Sequence, residues 1–237
     1  MPREPRVVAV GLPHHITQRG NARQDVFTTN SIRRAYVQLL AEHAAANRLR
    51  LLAWCLMTNH VHIVAVPEAA SSMANALRHA HGRFSQYWNT VQRRTGHLWQ
   101  NRYYSCPVEE SLVARVIAYV ENNPVRAGMV ECAQDFEWSS ARAHLGEDNA
   151  AAMLDMEWWE AHWTSEDWRA VLRDRAESAQ ELRDIRQATY TGRPLGSKQF
   201  IAGLEENLGR VLEVRPGGRA KQRKDRREDQ LQLWSPK

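Results

Sequence analysis

The sequence predicts an α+β fold: a ferredoxin-like βαββαβ antiparallel sheet with helices on one face, then a C-terminal helical extension and a basic tail. Three observations predict it. Apolar periodicity switches between two and 3.6 residues in the order β-α-β-β-α-β-α. The two middle strand signals, Leu51 to Met57 and Val61 to Val66, are separated by a tight turn near Thr58-Asn59 and read as a hairpin. Beyond residue 150 the patterning is helical, and from Arg215 the chain is charged and broken by Pro216, Gly217 and Gly218.

Each element follows from local chemistry. Residues 13–19 read as the first strand, closed by Gly20-Asn21. Ser31 to about Arg48 reads as a helix, with Ile32, Ala35, Tyr36, Leu39, Leu40 and His43 on one stripe. Ser71 or Ser72 is placed to cap a helix reaching about Arg94, with Met73, Leu77, Phe84, Tyr87, Trp88 and Val91 facing inward. His97 to Val108 reads as an aromatic strand containing Trp99, Tyr103 and Tyr104. Ser111 caps a helix that must end near Asn123, because Pro124 disfavours helical geometry in the residue before it. In a split βαβ arrangement the third strand lies inside the sheet, where the last helix can reach it.

The remainder reads as an appendage. Residues 125–163 carry Trp138, Trp158, Trp159 and Trp163 and wrap the core. Thr164 to about Ala188 reads as one amphipathic helix, with Thr164 and Asp167 spaced as a capping box. Residues 191–197 form a turn, and Lys198 to Leu212 a short helix. The expected units are 1–149, 150–214 and a tail, 215–237, that stays disordered until bound.

Composition narrows the functional classes. The 237 residues are 43% hydrophobic and 25% charged, ordinary for a globular protein with a real core. No apolar run approaches the ~18 residues of a membrane span, and Met1 to Arg6 lacks the apolar stretch of a secretory signal, so no membrane partner and a cytoplasmic, nucleoid-associated location are expected. Cys55, Cys106 and Cys132 are too few and too far apart for a disulfide framework and read as packed thiols. Charge is unevenly spread: residues 1–149 hold 16 basic and 12 acidic side chains, 150–214 hold 8 and 12, and 215–237 hold 8 and 3. Of the 32 basic residues 28 are arginine, the side chain suited to bidentate phosphate contacts, which points to nucleic acid.

The chemistry concentrates at Asn59-His60-Val61-His62-Ile63-Val64. Two histidines flanking one apolar residue on a strand point to the same face, with Val61 in the core. Burying both without partners is costly, so a divalent metal is the expected partner. With a third oxygen ligand the ion is Mg²⁺ or Mn²⁺; zinc with a distant cysteine is the alternative. Tyr119 follows on a helix, with Asn123 four residues on along the same face. An amide oxygen there can complete the metal's ligands while the phenol lies beside a bound phosphate. Arg19, Arg23, Arg83, Arg102 and Arg126 are candidate phosphate contacts, with Arg78, Arg93 and Arg94 behind them. Tyr103, Tyr104 and Trp99 are candidate stacking platforms for unpaired bases, and His15 is a lesser site candidate.

Three segments carry a family resemblance: Pro13 to Asn21 (PHHITQRGN), Met57 to Ile63 (MTNHVHI) and Tyr119 to Ala127 (YVENNPVRA). Together they resemble the REP-associated tyrosine transposases, a branch of the single-tyrosine HUH endonucleases, over roughly residues 5–145. The resemblance implies that 1–149 is the catalytic domain, with His60, His62 and Asn123 as ligands of Mg²⁺ or Mn²⁺ and Tyr119 as nucleophile. It implies attack on single-stranded DNA at hairpin-flanked repeats, a 5′-phosphotyrosine link and rejoining by a 3′-hydroxyl. The competing readings are a catalytically silent hairpin-DNA-binding protein on the same fold and a zinc-stabilised structural or RNA-binding module. Monomer and homodimer are both open, with the long tail favouring a monomer.

Overall fold

A computed structural model describes residues 5–147, 152–174 and 178–212. Four strands, β1 (His14–Arg19), β2 (Leu49–Met57), β3 (His60–Pro67) and β4 (Tyr104–Pro107), form one antiparallel sheet in the order β2-β3-β1-β4. The helices are α1 (Asn30–Ala46), α2 (Ser72–Gln92), α3 (Val113–Glu121), α4 (Asn123–Arg126), α5 (Ala141–His144), α6 (Met156–Glu160), α7 (Ser165–Arg173), α8 (Ala179–Thr191) and α9 (Lys198–Leu208). This is the ferredoxin-like order expected, with β3 interior. No helix of the described residues is long and apolar enough to cross a membrane.

Strand register sorts the sheet into two faces. Opposed residues Thr17 and His62, Arg19 and His60, and His15 and Cys106 share one face. Ile16 opposite Ile63, and Gln18 opposite Val61, share the other. Ile16, Val61 and Ile63 are fully buried, and each contributes about 1.5–3 kcal/mol of burial. The crossover helices α1 and α2 pack on one another. Thr29 caps α1 by accepting from the Ile32 amide, which aligns Ile32, Tyr36, Leu40 and Ala44 as its buried stripe. Phe27, Tyr36, Phe84 and Trp99 interlock there, with Phe27–Tyr36 at 5.1 Å and Tyr36–Phe84 at 5.0 Å between ring centroids. The opposite face carries α3, which contacts β2 and β3, and α8, which contacts β4 and β1.

Later segments cover both sheet edges, which removes the hazard of unpaired strands. Along β2, Leu56 N donates to Trp138 O (2.8 Å), Ser140 N to Trp54 O (2.9 Å) and Asp155 N to Leu51 O (2.8 Å). At β4, Leu195 N donates to Pro107 O (2.8 Å). Glu121, fully buried at the end of α3, accepts from Trp168 Nε1 (2.8 Å) on α7 and bonds His144 Nδ1 (2.7 Å) on α5 and the Ser140 hydroxyl. Three donors around one carboxylate satisfy a group that would otherwise be very costly in the interior. The tryptophan-rich segment thereby grips the helix that carries Tyr119.

The structure corrects several local expectations. The aromatic strand expected over 97–108 is only Tyr104–Pro107; Leu98 and Trp99 make a single bridge, between Trp99 and Gly20. The ring of Trp99 is instead drawn into the core, its Nε1 donating to His81 O (3.3 Å). Ser111 does not cap α3: it lies in a short 3₁₀ turn, Glu110–Leu112, and α3 begins without a side-chain cap. Ser71 makes no cap bond to α2, while the Ser72 hydroxyl accepts from Ala69 N (3.0 Å). As expected, α3 ends just before Asn123, at Glu121, and Pro124 then occupies the first turn of α4, where its missing N–H costs nothing. The helix expected over 164–188 is two helices. α7 stops at Arg173, and α8 starts from a Ser178–Glu181 capping box. α9 ends at Leu208 because Gly209 takes the left-handed conformation (φ 58°). The tail expected over 215–237 lies outside the described residues.

Candidate active site

Strand alternation delivers the paired imidazoles to one face, as the spacing demands. The rings of His60 and His62 lie 4.9 Å apart between centroids. α3 brings Tyr119 across them, its ring edge-on to His62 at 5.7 Å and 86°. These residues line one cleft of about 760 Å³, together with Asn123, Arg126, Arg19 and Arg23. Tyr119 is 3% exposed, so its ring is fixed by packing. The guanidinium of Arg126 sits 4.4 Å above that ring and also donates to the Tyr119 carbonyl. A cation over an aromatic face is attractive and adds positive charge on the Tyr119 side of the cleft.

Donor counting fixes which ring nitrogens are free. His60 Nδ1 lies 2.7 Å from Asn59 Oδ1. An amide oxygen only accepts, so His60 donates from Nδ1 and keeps a lone pair on Nε2. His62 Nδ1 lies 2.9 Å from His15 Nε2, and His15 Nδ1 lies 2.7 Å from Thr189 Oγ1. Burial, with Arg19 as the second cause, pushes His60 down to about 4. Burial also holds His62 well below its ordinary value, with the neighbouring His60, His15, Arg126 and Arg19 adding to it. Both imidazoles are therefore neutral at pH 7, the form that ligates metal.

The donor set suits a hard divalent cation. Two neutral imidazoles face a cleft that also holds Asn123, whose Nδ2 is buried without a hydrogen-bond partner. Nitrogen and oxygen of an amide exchange by rotation about one bond, and the exchange presents a carbonyl oxygen where the orphaned donor stands. Among the described residues no three His, Cys, Asp or Glu side chains gather as a metal site. Cys55 and Cys106 are buried free thiols, both pushed up by burial, Cys106 to about 12. A zinc site with cysteine ligation therefore has no support among the described residues.

Not every candidate converges. Arg102 and Tyr103 line an adjoining cavity of about 380 Å³, where the Arg6 guanidinium covers the Tyr103 ring at 3.7 Å. Arg83 projects as an exposed residue from α2 and lines neither cavity. Tyr104 lines both cavities and stacks on Tyr190 at 5.1 Å. Several cleft residues escaped sequence reasoning, Thr17, Arg186, Thr189 and Tyr190 among them. Thr17 was readable, since it alternates with His15 and Arg19. Arg186, Thr189 and Tyr190 of α8 were not, because no local pattern encodes a contact between positions 174 residues apart, such as His15 and Thr189.

A match to a transposase family model points to a DNA-processing role. Residues 9–123 match the family described as Transposase IS200 like. The fold agrees with a solved structure described as the REP-associated tyrosine transposase bound to a REP hairpin: TM-score 0.52, 17% identity, covering 62% of this chain and 86% of that one. A crystal structure from Deinococcus radiodurans R1 covers 51% of this chain and 97% of its own at 20% identity; its TM-score of 0.36 is too low to define a fold. No curated protein matches the chain. The resemblance carried by the three motifs is thus upheld by both family and fold.

Proposed function

We propose that this protein cuts and rejoins single-stranded DNA at hairpin-flanked repeats through a 5′-phosphotyrosine link. The observation that carries the proposal is the single cleft in which Tyr119, His60, His62 and Asn123 meet, rimmed by Arg19, Arg23 and Arg126. The phenol oxygen of Tyr119 attacks phosphorus; the bond to the 3′ oxygen breaks, and that oxygen leaves as a hydroxyl after taking up a proton. Attack by a 3′-hydroxyl on the phosphotyrosine reverses the step, so phosphodiester energy is conserved and no nucleotide is consumed. Mg²⁺ or Mn²⁺ held by the Nε2 atoms of His60 and His62 and by the Asn123 amide oxygen would act as Lewis acid on the phosphate. Arg126 holds Tyr119 in place, while Arg19 and Arg23 anchor flanking phosphates.

The related structure was solved with a REP hairpin, which makes hairpin DNA the substrate to try first. Tyr190, 70% exposed and stacked on Tyr104 at the cleft, offers a free face to an unpaired base. A DNA substrate places the working protein in the cytoplasm with the nucleoid. The test incubates the protein with Mn²⁺ and labelled hairpin DNA beside Tyr119→Phe. A covalent adduct from the unsubstituted protein alone is expected. Hairpin binding with no adduct from either protein would overturn the enzymatic reading and leave a DNA-binding protein.

A further inference from the structure

We infer that α8, which lies beyond the family segment 9–123, decides which nitrogen of His62 carries the proton, acting through Thr189 and His15. The inference rests on the metal-site reading of His62 proposed above, and concerns how that ligand is kept ready. Thr189 and His15 are positioning residues: neither need touch DNA or metal.

The argument is a count of protons along three contacts. Thr189 Oγ1 has one hydrogen, and it lies 2.8 Å from the Ile185 carbonyl, a group that only accepts. This bond back to the preceding helical turn is a common use of threonine. Directed to that carbonyl, the hydroxyl hydrogen is unavailable to His15. Cys106 Sγ is also near, at 3.4 Å, and burial keeps that thiol protonated, so it can donate into the same oxygen. Toward His15 the hydroxyl can then only accept. His15 Nδ1, 2.7 Å away, must carry its proton. A neutral imidazole has one N–H, so His15 Nε2 is left as an acceptor. His62 Nδ1, 2.9 Å from that atom, must donate. His62 Nε2 is the nitrogen that remains, with its lone pair available to the cleft.

Packing makes this chain rigid. His15 and Thr189 are 1% and 2% exposed where they line the cleft, so bulk water is kept from the contact between them. The His15 and His62 rings stack with 7° between their planes and 5.1 Å between centroids, and strand register places His15 on the same face as His62. Removing the Thr189 oxygen leaves the His15 Nδ1 proton without its acceptor. The cheapest relief moves it to Nε2, leaving Nδ1 as an empty acceptor. His15 Nε2–H then donates to His62 Nδ1, and the His62 proton moves to Nε2. The lone pair has left the cleft, and no atom of His62 has been replaced. Groups that hold a ligand histidine in its tautomer commonly contribute 10–100-fold to metal affinity.

The test uses Thr189→Val, which keeps the shape and removes the hydroxyl, with Thr189→Ser as the conservative rescue. Two readouts are taken on the full chain. One is the protonated nitrogen of His62 in metal-free protein, from long-range ¹⁵N–¹H correlation of the imidazole rings. The other is Mn²⁺ affinity by calorimetry. In the unsubstituted protein and in Thr189→Ser, His62 should be protonated on Nδ1. In Thr189→Val it should be protonated on Nε2, with Mn²⁺ binding about 10-fold weaker. An unchanged His62 tautomer in Thr189→Val would overturn the inference, as would Mn²⁺ affinity within twofold of the parent. If the parent itself binds no Mn²⁺, the metal reading fails instead, and the ring spectra of the metal-free proteins still decide the relay. Should Thr189→Val not fold, Thr189→Ala is judged by the same two readouts.

Discussion

The two faces of the sheet are built on opposite principles. The face bearing Ile16, Val61 and Ile63 is apolar and fully buried; its side chains act through volume and tolerate exchange for others of similar size. The face bearing His15, Thr17, His60 and His62 is polar, with His15 and His62 buried and Thr17 and His60 half-buried, and each imidazole of the histidine trio there has an assigned hydrogen bond. One strand serves both, because alternation lets Val61 pack inward between two histidines that face the cleft. Stability and metal binding are therefore expected to separate residue by residue along β3.

Substitutions that strike one face at a time break or sharpen this contrast. The largest effect is expected from Tyr119→Phe, which should abolish the covalent DNA adduct on a denaturing gel while shifting stability by no more than about 1 kcal/mol, the scale of one hydrogen bond. Ile63→Ala should do the reverse. It should cost about 3 kcal/mol in urea unfolding, by cavity creation, while the folded fraction retains Mn²⁺ binding; its companion His62→Ala should lose Mn²⁺ binding. If Ile63→Ala and His62→Ala lose metal affinity equally, the faces are not separable.

Acid should reveal the buried histidines away from the cleft. Burial pushes His14 down to about 4 and His81 to about 3, against an unfolded value near ~6.5. The unfolded chain binds the extra protons, so this stabilisation is complete above pH 6.5 and drains away as pH falls toward those lower values. Between pH 6.5 and 5 each such histidine should contribute a loss of roughly 2 kcal/mol. His81→Gln, which keeps a polar partner for the Tyr36 hydroxyl, should recover about that amount of the pH dependence in urea titrations. An unaltered slope would contradict the assignment. The smallest effect is expected from Tyr190→Ala: about 1 kcal/mol weaker single-strand binding with unfolding unchanged within ~0.5 kcal/mol.

How much of this was legible in the sequence depends on distance along the chain. The hairpin, the paired imidazoles and the Tyr119–Asn123 spacing are local patterns, and the structure brings all four residues to one cleft. The boundaries that misread were also local, yet they turned on competing signals. The Ser178–Glu181 capping box was present to divide the expected long helix, but amphipathic periodicity ran across it. Trp99 has strong strand propensity, and packing on Phe27 and Tyr36 overrode it. The contributions of α8 had no local signature. Thr189 is an ordinary threonine until the fold sets it against His15, and Glu121 reads as a surface acid until Ser140, His144 and Trp168 close over it.

That last carboxylate bears on where the polypeptide can be cut. A fragment ending with the family segment would keep Glu121 and discard the three donors that satisfy it, leaving a naked anion at the base of the helix that carries Tyr119. Ending at residue 174 would restore those donors and still orphan His15 by omitting Thr189. The shortest excised piece that closes both accounts runs through Thr191, well past the recognisable motifs.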